Sequence, residues 1–197
     1  MGAVRRYLSN ERRAFASIWL LLRRRKDVPS DGVALAYSGP RTPMLIVFAA
    51  VSFAETGLIW LIDLGLVIDL VLLVLGLYSA LFVFGIFAAS VTRPHVVSPR
   101  EVWIRAGVFY DVRVPLTDVL SLRRHKQTHP PTVRTFTGDE LIMHEDYDTN
   151  LVLELREPIT VTRPLGGTES VRVIRCYAEE PDIAVSAFDG FTPRQAA

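Results

Sequence analysis

Residues 44–91 read MLIVFAAVSFAETGLIWLIDLGLVIDLVLLVLGLYSALFVFGIFAASV. This stretch has no Lys, Arg or Pro, and its only charges are Glu55, Asp63 and Asp69. A helix rises about 1.5 Å per residue, so roughly 20 apolar residues cross about 30 Å of hydrocarbon. Two such helices fit, over 44–62 and 66–91, with Asp63-Leu64-Gly65 as a tight reversal between them. The second exceeds one crossing and is expected to tilt or to run beyond the hydrocarbon at one end. Pro40 and Pro43 bound the pair on one side, Pro94 and Pro99 on the other. A soluble helical hairpin would carry polar faces, and these segments do not.

Outward from this middle the composition changes. Residues 1–43 carry nine Lys/Arg against three Asp/Glu, and residues 92–197 carry thirteen against fifteen. The formal net charge of +1 over 197 residues therefore conceals a basic head, an almost uncharged middle and a mixed tail. Half the residues are hydrophobic and one is Cys, which excludes a disordered chain and a disulfide scaffold. Lys and Arg near the ends of membrane spans stay on the cytoplasmic side. Arg23, Arg24, Arg25, Lys26 and Arg41 precede the first span, Arg93, Arg100 and Arg105 follow the second, and the reversal has none. The expectation is a multi-pass inner-membrane protein with both termini cytoplasmic and Trp60 near the outer interface.

In the head, Phe15, Ile18, Trp19 and Leu22 recur at the spacing of one helical face, bracketed by Arg12, Arg13, Arg23, Arg24, Arg25 and Lys26. This pattern predicts an amphipathic helix over 10–26, capped at Ser9 or Asn10, that lies in an anionic headgroup layer or packs on the neighbouring domain. Arg12-Arg13 before an apolar stretch also resembles a twin-arginine export signal, but that stretch ends in Arg-Arg-Arg-Lys instead of a cleavage site. Residues 33–37 are apolar between turn residues and read as one short strand.

After Pro94 the pattern alternates, the signature of strands. Val102 and Ile104 alternate with Trp103 and Arg105, Gly107 turns the chain, and Val108, Tyr110, Val112 and Val114 alternate on the way back. Residues 115–118 turn again into a strand over 119–123. Further strands are expected at 140–144, 150–156, 159–163 and 169–178. Pro181 opens a helix over 181–188 with Ile183, Val185, Ala187 and Phe188 as its core face. The fold class read from this is a membrane helical hairpin followed, over 92–197, by a small mainly-β domain. That domain is an antiparallel sheet or partial barrel closed by one C-terminal helix.

Two spans followed by residues 98–122, SPREVWIRAGVFYDVRVPLTDVLSL, resemble bacterial membrane proteins that carry a pleckstrin-homology-like domain. There a strand, a Gly turn, a second strand and a Val-Pro-Leu step open the domain, and a strand with a terminal helix, here 169–188, closes it. The polar stretch 128–148 departs from that pattern. The resemblance implies a non-catalytic binding or assembly module and supplies no catalytic residue.

Glu55 lies deep in the first span, where a charged, lipid-facing carboxylate costs at least about 2.5 kcal/mol. Folding the spans about the reversal brings it opposite Val74 to Tyr78, where Tyr78 or Ser79 could hydrogen-bond it, as helix-to-helix glue within the hairpin or between copies. An oligomeric proton or ion pathway lined by Glu55 is the rival reading. Arg123, Arg124, Lys126 and Arg134 are candidates for headgroup or partner contact. His125, His129, His144, Glu145, Asp146 and Asp148 are metal-ligand types, and a membrane enzyme using the 125–148 segment is the alternative, but their spacing matches no metal motif and a solvated turn fits better. Cys176 reads as a small core residue. No metal, cofactor or nucleic-acid partner is expected. The partners expected are the bilayer and its anionic headgroups, with a second copy or another membrane protein.

Overall fold

The computed structural model describes residues 2–39, 42–59, 65–164 and 166–192. Helix α1 runs from Gly2 to Leu22, α2 from Thr42 to Ile59, and α3 from Leu66 to Thr92. Two apolar helices therefore stand where the hydropathy placed them, and they lie against each other. Among the described residues only α3 has the length and apolarity to cross a bilayer. Trp60, Asp63 and most of the expected reversal lie outside the described residues.

At about 1.5 Å per residue, α3 is ~40 Å long, more than one hydrocarbon thickness. Its two halves differ accordingly. Leu66, Val67, Ile68, Leu70, Val71, Val74, Leu75 and Leu77 are exposed, whereas every buried residue of the helix lies at or after Ala80. The covered half is seated under α1 and the sheet domain. Ala14 of α1 packs with Ala89 and with Val108, flanked by Phe82 and Ile86. The helices can approach this closely because α3 presents Gly85, where an added Cβ would lie 2.8 Å from the Ala14 Cβ and 3.1 Å from its carbonyl carbon.

The head helix differs from expectation at both ends. It begins at Gly2, so Ser9 and Asn10 are interior positions and not its cap, and it stops at Leu22. Arg24 takes a positive φ of 52°, and the N–H groups of Arg24 and Arg25 bond the carbonyls of Leu21 and Leu20 to close the last turn. The interior stripe of α1 faces α3, while Leu8, Phe15, Trp19 and Leu22 form an exposed apolar stripe on the other side.

Two sheets enclose one core. The first has the order β1-β2-β3-β4, built from Val33–Leu35, His95–Val97, Glu101–Ala106 and Tyr110–Pro115, all antiparallel. A single 3-10 turn over Leu116–Asp118 leads to the second sheet, of order β5-β8-β9-β7-β6. Its strands are β5 Val119–Thr128, β6 Phe136–Thr137, β7 Glu140–Met143, β8 Asp148–Thr162 and β9 Thr168–Cys176. It is mixed, since β7 runs parallel to β9. Val102, Ile104, Val112 and Val114 from one sheet meet Leu151, Leu153, Leu155 and Ile174 from the other, and α4, Pro181–Phe191, closes the end with Ala184 and Phe188.

Several expectations are refined by these contacts. The strands foreseen at 150–156 and 159–163 are one, β8, with a register shift between Glu154 and Ile159. The buried face of α4 is Ala184 and Phe188, with Ile183 exposed at 44%. Val108 leaves the sheet core altogether and joins Ala14 and Ala89. Strand β3 is buried on both faces, so Trp103 and Arg105, the solvent side of the alternation, are covered.

Gly85→Val should force α1 off α3 by overpacking, at a cost of about 1–3 kcal/mol. Hydrogen exchange of residues 8–22 in the full-length protein should then speed up selectively, with the strands of the second sheet unchanged.

Candidate functional site

The side of β3 and β4 that faces away from the core carries Trp103, Arg105, Asp111 and Arg113. In the hairpin register Arg105 stands opposite Asp111 and Trp103 opposite Arg113. Arg105 has no exposed surface at all, so its guanidinium must find its partners inside the protein. Its Nε donates to Asp111 Oδ1 at 3.2 Å, and its Nη1 and Nη2 donate to the Asp27 carbonyl at 2.7 Å and to Asp27 Oδ2 at 3.1 Å. Arg93, just past the end of α3, donates from Nη2 to Asp111 Oδ2 at 2.8 Å and from Nη1 to the Gly107 carbonyl at 3.4 Å. Asp27 also donates its own N–H to the Thr92 carbonyl at 2.8 Å. The segment after α1, the end of α3 and the first sheet are thus pinned together through two aspartates.

Two more arginines reach the same carboxylate from further out. Arg113 Nε lies 3.6 Å from Asp111 Oδ1, and Arg13 Nη2 lies 4.0 Å from Asp111 Oδ2. Arg105 and Arg113 stack over Trp103, with ring distances of 4.3 and 4.2 Å. Burial works to raise the Asp111 pKa, but Arg105, Arg93 and Arg113 together outweigh it and hold the carboxyl below its ordinary value. Burial pushes the Arg105 pKa down, opposed by Asp111 and Asp27.

Behind the junction sits His95. Its Nδ1 accepts the Arg105 N–H at 3.0 Å, which leaves the proton on Nε2 to be donated to the Tyr177 carbonyl at 3.1 Å. Tyr37 stacks on the ring at 4.5 Å, and its hydroxyl accepts the Gly107 N–H at 2.7 Å. Burial, with Arg105 adding to it, lowers the His95 pKa to about 4, and burial raises that of Tyr37 to about 12. Both are neutral structural groups near neutral pH.

The residues singled out in the sequence are scattered. Arg123 pairs with Glu154 at 2.7 Å, Arg124 holds both oxygens of Asp182, and Lys126 lies 3.6 Å from Asp148. Arg134 sits elsewhere, in a cavity with Phe109, Phe136 and Arg163. Of the basic head residues, Arg13 enters the junction, Arg23 stacks on Trp19 at 4.2 Å, and Arg12, Arg24, Arg25 and Lys26 are exposed. Glu55, Tyr78 and Ser79 all have exposed side chains, and no hydrogen bond among the described residues joins Glu55 to either of the others. Within one copy these polar groups are exposed, which leaves a contact between copies as the form of helix-to-helix glue to consider.

The 125–148 segment resolves into ordinary β structure. His125 is exposed on β5, and His129 Nε2 lies 3.0 Å from Thr149 Oγ1. His144 stacks on Tyr147 at 5.4 Å across a tight turn in which Asp146 and Tyr147 both have positive φ. Among the described residues no three His, Cys, Asp or Glu side chains converge to hold a metal. Cys176 is fully buried in the core, and burial raises its thiol pKa to about 12, so it is protonated at neutral pH. No family model matches the chain, and neither a curated protein nor a solved structure does.

Asp111→Asn would leave the buried guanidinium groups without their shared countercharge, and should destabilise the detergent-solubilised protein by about 3–5 kcal/mol in equilibrium unfolding. His95 gives a separate pH signature. Between its ordinary value of 6.5 and about 4 the unfolded chain binds a proton that the folded chain excludes. Stability should accordingly fall on acidification through that window, by up to about 1.4 kcal/mol per pH unit, and this contribution should be flat above it. His95→Gln, which does not titrate, should reduce the slope of the 4 to 6.5 segment of the unfolding profile, leaving the part due to His129, whose pKa burial also lowers. The stability that Asp111 contributes is fully present above its ordinary value of 3.8 and is lost only as pH falls from there toward its depressed folded pKa.

Proposed function

We propose that this chain is a bacterial-type inner-membrane protein in which α2 and α3 form a two-span hairpin with both termini cytoplasmic. The hairpin carries a pleckstrin-homology-like domain that acts as a non-catalytic module for binding a protein or the membrane surface. The observation that carries this reading is the division of α3. Its first half exposes Leu66, Val67, Ile68, Leu70, Val71, Val74, Leu75, Leu77 and Tyr78, with Asp69 the one charge among them, and its second half is clothed by α1 and the β3–β4 turn. In water such a surface would drive association, whereas in hydrocarbon it needs no partner. The exposed Ile46, Val47, Phe48, Val51 and Phe53 of α2 extend it.

The domain's form supports the second part of the reading. Largely antiparallel strands around one core with a C-terminal helix over the end support it coarsely, whereas the one antiparallel sheet or partial barrel expected is instead two sheets, the second mixed through the parallel pairing of β7 and β9. Confinement beside the bilayer raises the effective concentration of a binding surface toward partners in the same membrane, so a weak contact suffices. Glu55 is exposed on α2, and an uncovered carboxylate at mid-span costs about 2.5–3.5 kcal/mol. A second copy or another membrane protein against that face of α2 would remove the cost.

The buried native thiol allows a clean topology test. Leu66→Cys should react with a membrane-impermeant maleimide on intact cells, and Gln127→Cys only after permeabilisation, with the protein staying in the membrane pellet after alkaline carbonate. Release by carbonate, or equal labelling at both positions on intact cells, would overturn the proposal.

A further inference from the structure

The ion pairs around Asp111 do not balance. Within 4.0 Å contacts, four arginines, Arg13, Arg93, Arg105 and Arg113, meet two carboxylates, Asp27 and Asp111. The two inner arginines have short contacts and little or no exposure. The two outer ones do not. Arg13 and Arg113 keep 36% and 48% of their side-chain surface and lie 4.0 and 3.6 Å from Asp111, whose oxygens are already taken at 2.8 and 3.2 Å; their other contacts, Arg13 Nη1 to the Val108 carbonyl at 3.4 Å and Arg113 over the Trp103 ring, carry no countercharge.

Both outer guanidinium groups line one cleft of about 530 Å³ between the first half of α1, the β3–β4 hairpin and the end of β8. The same walls offer neutral donors, Ser9, Asn10, Thr160 and Thr162, and Arg163 at the rim. Arg163 pairs with Glu169 at 2.5 Å and lies over Phe136 at 5.3 Å. Asp111 also lines the cleft, but its charge is committed inward. Past Phe109, Tyr110 and Arg163, which line both, the cleft continues into a second cavity of about 650 Å³ with Phe136 and Arg134. Phe109 there is 43% exposed.

We infer that this cleft binds a phosphomonoester, its dianionic phosphate held between Arg13 and Arg113 and its organic part lying along Phe109 and Phe136. A surplus of two positive charges matches a dianion. Paired guanidinium forks with hydroxyl donors suit phosphate oxygens, and an aromatic continuation is of no use to inorganic phosphate. The ester's source is either a soluble compound or the headgroup of a lipid such as phosphatidic acid. The cleft stands on the geometry alone, and only the lipid source rests on the membrane reading above.

The test uses the full-length protein in phosphatidylcholine nanodiscs, titrated calorimetrically with glycerol 3-phosphate, with glycerol as the control. In a second arm, nanodiscs holding equal phosphatidic acid and phosphatidylcholine are examined by native mass spectrometry for retained lipid. Binding in either arm should weaken at least about tenfold in Arg113→Gln, the loss of one charge-assisted contact. It should weaken likewise in Thr160→Asp, an exposed β8 position outside the ion pairs, and stay unchanged in Arg172→Gln, an exposed β9 position that lines neither cavity. Glycerol 3-phosphate binding identifies a soluble ester, and selective retention of phosphatidic acid alone identifies a headgroup. Absence of binding in both arms overturns the inference whatever the topology, as does binding that survives Arg113→Gln or Thr160→Asp. A protein that failed the topology test but bound glycerol 3-phosphate would retain the cleft and lose only the membrane.

Discussion

The segment after α1, the end of α3 and the first sheet are held together by Asp111 and Asp27. Arg105 has no exposed surface, and a guanidinium that is out of water must be fully partnered or it destabilises the fold by several kcal/mol. Its partners come from a hairpin neighbour and from a segment 78 residues earlier in the chain. Arg93 uses the same two carboxylates from the end of α3. Since α3 ends at Thr92 and β2 begins at His95, the helix and the sheet have almost no linker between them. The charged junction converts that short connection into a rigid one, and the Ala14–Gly85 contact adds α1 to the same body.

The sequence made the elements legible and left the junction hidden, for a physical reason. Period-2 alternation tells which residues of a strand share a face, and Val102, Ile104, Val112 and Val114, grouped by it, do lie in one core. It cannot tell whether the opposite face meets water. Here that face is covered by residues 13–27, about eighty positions away, so Arg105 read as a solvent residue. One signal was available: a hairpin turning at Gly107 puts Arg105 across from Asp111 and Trp103 across from Arg113, an ion pair beside a cation–aromatic pair on one face. Short elements escaped for a simpler reason. The three residues of β2 are too few to show a period, although they complete the first sheet by pairing β1 to β3.

Charged residues chosen from the sequence as contacts fared according to their local register. Arg123 and Arg124 lie on β5, where cross-strand Glu154 and the first turn of α4 supply carboxylates, and such exposed pairs are worth little to stability but do occupy the charge. Arg134 belongs to a loop between strands and faces a cavity. Arg12 and Arg13 are adjacent in sequence, yet helical geometry sends them to different sides, so that one is exposed and the other reaches Asp111. Of the apolar stripe read in α1, Phe15, Trp19 and Leu22 are exposed and Ile18 is half-buried, and the amphipathic pattern could not show that small Ala14 is the residue that fits against Gly85.

Under the membrane reading proposed above, rigidity at the junction also decides what kind of tether the hairpin is. A flexible linker raises local concentration but averages over orientations, and its benefit falls with length. A domain locked to the end of α3 instead presents one face at one height above whatever surface α3 enters. The cleft between α1 and β8 is lined by Arg13 and Phe109, next in the chain to Ala14 and Val108, which pack on Ala89 near the end of α3. Orientation and anion recognition thus depend on one carboxylate: Asp111 fixes the inner arginines that set the geometry, and by being saturated it leaves Arg13 and Arg113 their unspent charge.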